Sequence, residues 1–240
     1  GEQMGAVLVA HDVTGLKHAE EALREADRRK DEFLATLAHE LRNPLAPIRS
    51  AVEILKLKAP DDPTLQVVQG MIDRQLRHLV RLVDDLLDVS RITRGRLQLR
   101  RERVALAEVL EQALEASRPH VECAGHDLSV ALPPAPVYLD ADPVRLAQVF
   151  LNLIHNACKY TDPGGQIRVS AEMDGPEVVV TVADTGIGVP PEDLARLFEM
   201  FAQLGPTGER AQGGLGIGLS LARGLVEMHG GSIEARSEGP

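Results

Sequence analysis

Apolar and polar positions follow two rhythms along this chain, and the change falls near residue 95. Residues 5–13, GAVLVAHDV, predict a short strand. A charged, alanine-rich run over 16–33 predicts an exposed helix or coiled coil. The helical pattern continues through residue 58, where KAPDDPT supplies a proline-bounded turn. Beyond it, Leu65, Val68, Ile72, Gln75, Leu79, Leu82, Leu86 and Val89 alternate steps of three and four, a heptad seam. Leu76, Val83 and Leu87 widen that seam, which suits a four-helix bundle better than a two-stranded coil. One hairpin cannot close such a core, so a second copy of the hairpin is expected to complete it.

After RITRGR the texture becomes mixed. RLQL (96–99), DLSVAL, VYLD and SIEARS (232–237) predict strands, and LAEVLEQALEASRPHV a helix. DPVRLAQVFLNLIHNACKYT predicts a helix with an Asp cap and proline in its first turn. GQIRVSAEM and EVVVTVAD predict a hairpin across DGP. PEDLARLFEMF predicts a short helix, and GLSLARGLVEMHGG a helix closed by glycines. Strands mixed with non-alternating helices predict an α+β sandwich, with helices on one face of a mixed sheet.

Composition changes this picture little. The chain has 240 residues, a net charge of -10 and no Trp. The acidic balance argues against a general nucleic-acid binder. Cys123 and Cys158 lack metal-type spacing and fit a reducing compartment. No apolar run approaches the roughly 20 residues of a membrane span. The chain opens and closes in mid-pattern and reads as a segment of a longer protein.

The stretch ATLAHELRNPLAPIR (35–49) poses a sharper question, because it is helical in pattern yet holds two prolines. With Leu34 at zero on a helical wheel, Leu37, Leu41 and Ile48 fall at about 300°, 340° and 320°, a buried stripe. His39 and Asn43 fall at about 140° and 180°, so both face solvent. Pro44 and Pro47 leave the carbonyls of Glu40 and Asn43 without helical donors, so the helix is expected to bend there, or to end and restart. An exposed imidazole beside a carboxylate can act as a nucleophile. An isolated His-Glu pair is common, however.

The second half carries stronger chemistry. Asn152, Asn156 and Lys159 share one helix face, and two amides with an ammonium suit a phosphate chain and Mg²⁺. Asp184 ends a β-branched run in ADTGIGVP, placed to accept a hydrogen bond from an exocyclic amine. Gly186 and Gly188 there allow a tight turn against a flat ligand. Gly214, Gly216 and Gly218 lead into a helix N-terminus, an anion site that is neither a Walker A loop nor a dinucleotide fingerprint. AQLGPTGERAQ between the glycine motifs predicts a mobile lid.

Taken in order, these motifs resemble the sensor histidine kinases of two-component signalling. FLATLAHELRNPLAPI resembles the H box and NLIHNACKYT the N box. DTGIGV and GGLGIGLSLARGLVEMHGG resemble the two glycine boxes, and LFEMF the F box. The resemblance spans roughly residues 20–237. It implies the end of a PAS-like domain (1–15), then a signalling helix and dimerisation hairpin (16–94) forming a dimeric four-helix bundle. A catalytic ATP-binding sandwich of Bergerat type (95–240) would follow, its last strand missing.

By position, the resemblance makes His39 the phosphoacceptor, Glu40 its general base and Asn43 a residue of receiver dephosphorylation. Asn156 would bind Mg²⁺, and Asn152 and Lys159 would contact the phosphates of ATP. Tyr160 would flank the nucleotide, and Asp184 would read the adenine amine. Gly186, Gly188, Gly214, Gly216 and Gly218 would shape the pocket and lid. The function implied is cytoplasmic autophosphorylation of His39, with transfer to an aspartate of a response-regulator receiver domain. The expected partners are a second copy of the hairpin and that receiver, with no nucleic acid and no direct membrane contact. Rival readings are a nucleotide-binding scaffold, a plain ATPase of the same fold, and a protein acting mainly as a receiver phosphatase.

Overall fold

The computed structural model describes residues 37, 41–55, 64–200, 202, 215–237 and 239. The expected N-terminal strand, the charged run over 16–33 and residues 58–63 of the predicted turn lie outside them.

The first helix, α1, runs without interruption over 41–55, through both prolines. The alternative expectation, a helix that ends and restarts at them, is therefore overturned. Pro44 is fully buried and Ala51 is buried, so the proline ring contributes apolar packing on the inner face. Helix α2, Thr64–Thr93, buries the predicted heptad seam, with Val68, Leu82 and Val89 the deepest. Its flanking stripe stays open, with Leu76, Val83 and Leu87 at 53%, 45% and 47% exposure.

The second half is the expected α+β sandwich. Its elements are β1 (Glu102–Ala105), α3 (Leu106–Ala124), β2 (Asp127–Ala131), β3 (Tyr138–Ala141) and α4 (Pro143–Tyr160). They continue with β4 (Gln166–Asp174), β5 (Glu177–Asp184), α5 (Pro191–Leu194) and α6 (Gly218–Met228). One sheet has the order β2-β4-β5, with β2 parallel and β5 antiparallel to β4. Strands β1 and β3 form a separate antiparallel pair. The β4–β5 hairpin turns at Gly175, whose φ of 59° is disfavoured for residues with a Cβ.

The alternation of β4 buries Ile167, Val169 and Ala171, and the last two pack against α3 and α4. There Leu110 and Ile154 are wholly buried. A second apolar cluster joins the two halves: Leu82 and Val89 of α2 pack with Val149 of α4 and with Leu221, Ala222 and Leu225 of α6.

Three local expectations shift. Residues 96–99 form no strand; the backbone N–H of Arg100 donates to the Asp142 carboxylate at 2.9 Å, and pairing begins only at Glu102↔Ala141. Residues 232–237 join no ladder. Val189 N–H donates to the Ser237 hydroxyl at 2.9 Å and Ile233 packs on the second cluster, so side-chain contacts stand where a backbone partner was expected. The helix expected over 191–201 shrinks to Pro191–Leu194. Bonds from Arg196 N–H to Asp193, and from Glu199 N–H to Arg196, are of the tighter three-residue kind.

Candidate functional site

Helix α4 organises the site, and its start is built as its sequence predicts. Asp142 caps it, accepting from Arg145 N–H at 3.2 Å, and Pro143 follows at the first turn. Burial works to raise the pKa of Asp142. The backbone N–H groups of Arg100, Arg145 and Val144 and the Arg145 charge outweigh it, so the carboxyl lies below its ordinary value. The N–H of Asp142 donates to Nε2 of His229 at 3.0 Å. His229 in turn donates from Nδ1 to the Leu225 carbonyl at 2.7 Å. Accepting at one nitrogen and donating at the other makes this ring the neutral Nδ1–H tautomer.

Asn152, Asn156 and Lys159 lie along one face of α4 at steps of four and three. The structure ties this face to both glycine segments. Asn152 Nδ2 donates to the carbonyl of Gly218 at 3.2 Å, fixing the start of α6 against α4. At the other end, Ile187 N–H donates to the Tyr160 carbonyl at 3.2 Å. Thr161 lies with its hydroxyl 3.5 Å from Asp184 Oδ1, which also accepts from Gly186 N–H at 2.8 Å. Lys159 Nζ sits 4.8 Å from the centre of the Tyr160 ring, within cation–π range.

The glycines divide by cause. Gly188 and Gly216 adopt φ of 68° and 65°, where a side chain is strained. Gly186 is needed for space: a Cβ would stand 2.5 Å from the Tyr160 carbonyl oxygen. The expected close approach at Gly186 is therefore first an approach to the chain's own backbone. No side chain caps α6 at Ile217. Together the face offers amides, an ammonium and a helix N-terminus, a donor set suited to a polyphosphate.

Asn43 is exposed on α1, as the wheel predicts. His39, Glu40, Gly214 and all but the first residue of the expected lid lie outside the described residues. Among the described residues, no helix is long and apolar enough to cross a membrane.

Sequence reasoning missed a polar seam between α2 and α4. Arg145 Nη1 pairs with Asp88 Oδ2 and donates to Gln148 Oε1 at 2.9 Å. Gln148 Nε2 reaches Asp88 at 3.2 Å and Asp85 at 3.4 Å. Burial raises Asp85 to about 6, against the pull of Gln148 and Arg81. Further along, His155 of α4 lies 4.3 Å, ring to ring, from His120 of α3. Burial, helped by His120 and Arg81, lowers His155 to about 4. The available signal was the spacing of Arg81, Asp85 and Asp88, four and then three residues apart on one face of α2.

Two family models match the chain. "His Kinase A (phospho-acceptor) domain" covers residues 29–95, and "Histidine kinase-, DNA gyrase B-, and HSP90-like ATPase" covers 141–240. The chain is 36% identical over 238 residues to the histidine protein kinase DivJ of Caulobacter vibrioides, matching 95% of this chain and 40% of DivJ. It spans well under half the length of the curated relatives it matches. Among solved structures, the Acinetobacter baumannii histidine kinase AdeS aligns with a TM-score of 0.62 at 27% identity, over 84% of this chain and 92% of AdeS. Histidine kinase ThkA, in complex with response regulator protein TrrA, aligns with a TM-score of 0.57 at 27% identity, over 94% of this chain and 64% of ThkA.

Proposed function

The chain belongs to the sensor histidine kinases of two-component signalling, and from that premise we propose that it autophosphorylates His39 with ATP and passes the phosphoryl group to an aspartate of a receiver domain. The observation that carries this reading is the α4 face holding Asn152, Asn156 and Lys159, bound at one end to Gly218 and at the other to the Gly186 turn. Those ties bring three separated motifs to one surface with the donor set that a triphosphate needs. Asp184, with Oδ1 held by Gly186 N–H, is placed to accept from the exocyclic amine of adenine. Tyr160, 38% exposed, flanks the base. Asn156 fits a hard cation through its amide oxygen, and Mg²⁺ held there supplies charge neutralisation on the triphosphate.

A ring nitrogen of His39 attacks the γ-phosphorus in line. The bond to the β,γ-bridging oxygen breaks, and ADP leaves. Glu40 holds the proton on the other ring nitrogen. Such transfer depends mainly on positioning and charge stabilisation, which Lys159 and the α6 N-terminus supply. The exposed stripe of Leu76, Val83 and Leu87 supports closure of the bundle by a second copy. ThkA's complex with its response regulator supports the receiver as partner. An ATP-using module of this kind works on the cytoplasmic side. The exposed Asn43 also favours a second activity, dephosphorylation of the receiver.

The test is incubation with γ-labelled ATP and Mg²⁺. Acid-labile, alkali-stable label should appear on the parent chain and vanish in His39→Ala. Label that persists in His39→Ala would sink the assignment of the acceptor. No label on a chain that still binds ATP would favour the scaffold.

A further inference from the structure

The α2–α4 seam has a direction. Asp88, near the C-terminal end of α2, meets Arg145 in the first turn of α4. Asp85 meets Gln148 one turn along. Arg81 exerts its charge on His155 further still. Moving back along α2 is therefore moving forward along α4, so the two helices run antiparallel.

Arg145, Gln148, Asn152, Asn156 and Lys159 step by three, four, four and three. They occupy a single face of α4. The first two hold the hairpin, and the last three form the phosphate set. Leu37 and Leu41, which flank His39 in the chain, pack into the same cluster as Leu82 and Leu86. Val149 and Leu153 of α4 belong to that cluster too, so the helix that carries the phosphate set packs on the part of the hairpin to which Leu37 and Leu41 also pack.

Two further features mark it as a built contact. Asp88 is 5% exposed, a burial that carboxylates tolerate only when paired. Gly224 of α6 faces Ile92, where a Cβ would come within 3.2 Å, so the absence of a side chain lets α6 settle on the end of α2.

We propose that Arg145 and Asp88 are positioning residues for phosphoryl transfer: their ion pair, braced by Gln148, sets where the nucleotide-holding helix docks along the hairpin. This rests on the kinase reading above. Neither residue touches nucleotide or the acceptor; they act through the placement of α4.

The experiment is a double-mutant cycle in the full chain with Asp88→Asn, Arg145→Gln and the pair together. The readouts are the maximal autophosphorylation rate at saturating γ-labelled ATP and, separately, ATP affinity by equilibrium binding. Each single change should slow the maximal rate by at least about tenfold while affinity stays within about twofold. The double variant should lose no more than the worse single, because one interaction is removed either way. Gln148→Met, which keeps both charges, should show a smaller loss of the same kind and guards against variants that fail to fold.

Rates equal to the parent's would overturn the proposal. So would faster rates, which would make the seam a brake. Losses that multiply in the double variant, or that track ATP affinity, would do the same. A parent chain that takes no label would instead overturn the kinase reading, and the seam's role in transfer would fall with it.

Discussion

The side-chain amide of Asn152 donates to the carbonyl oxygen of Gly218 at 3.2 Å, so a residue of the expected phosphate set holds together the two segments that form the site. Asn156, one turn along the same face, is assigned to the cation instead. Asn152→Ala should therefore cost about 1 kcal/mol of stability and weaken nucleotide binding whether or not Mg²⁺ is present. Asn156→Ala should leave stability within about 0.5 kcal/mol and weaken binding only when Mg²⁺ is present. Urea unfolding and calorimetric titration with and without Mg²⁺ separate the two. Identical behaviour of the variants would remove the distinction.

Gly186 and Gly218 both lie in glycine motifs, yet their surroundings differ. A Cβ on Gly186 would meet the Tyr160 carbonyl oxygen at 2.5 Å and Asp184 Oδ1 at 2.6 Å. On Gly218 the nearest atom would be Asn152 Cγ at 3.8 Å, ordinary contact. Gly186→Ala should destabilise the chain by about 2 kcal/mol and abolish ATP binding. Gly218→Ala should leave stability nearly unchanged. Thermal melts with ATP titration give the comparison, and equal effects would contradict it.

Asp142 caps α4 and anchors Arg100, so Asp142→Ala should cost about 1–2 kcal/mol at neutral pH. Its folded carboxyl lies below the ordinary 3.8, so this contribution is present above that value and fades as pH falls below it. The stability gap between parent and Asp142→Ala should accordingly close in acid. A gap that persists to the lowest pH at which both fold would show the cap to act without its charge.

Asp85 and His155 make opposite demands on pH. Burial raises Asp85 from 3.8 to about 6. Between those values the folded chain holds a proton that the unfolded chain does not, so Asp85 favours folding as pH falls. Burial, then His120 and Arg81, lower His155 from 6.5 to about 4. There the unfolded chain holds the extra proton, so His155 opposes folding as pH falls. Relative to the parent, Asp85→Asn should be more stable above pH 6 by up to about 3 kcal/mol, with the gap closing near pH 4. His155→Gln should gain on the parent by a similar amount as pH falls from 6.5 to 4. Urea midpoints across pH 4–7.5 read both trends. Two pH-independent gaps would mean that neither group is buried as described.

The sequence by itself determined what depends on near neighbours in the chain. The α4 start was legible because Asp142 and Pro143 act on backbone groups within three residues. The inward face of β4 and the seam of α2 were legible because strand and helix periods alternate sides regularly. Asn152, Asn156 and Lys159 were legible as one face for the same reason.

The lack of strands at 96–99 and 232–237 was not, because a ladder needs a partner and local pattern cannot tell whether one is there. Gly186 read as a glycine kept clear for a ligand, while the nearest obstruction is the Tyr160 carbonyl, met only once α4 and β5 are packed. The Asp88–Arg145 pair joins residues 57 apart in the chain. Its spacing on α2 is ordinary for a solvated helix face, and only the packing of α4 and α6 against the hairpin turns those charges into a buried contact.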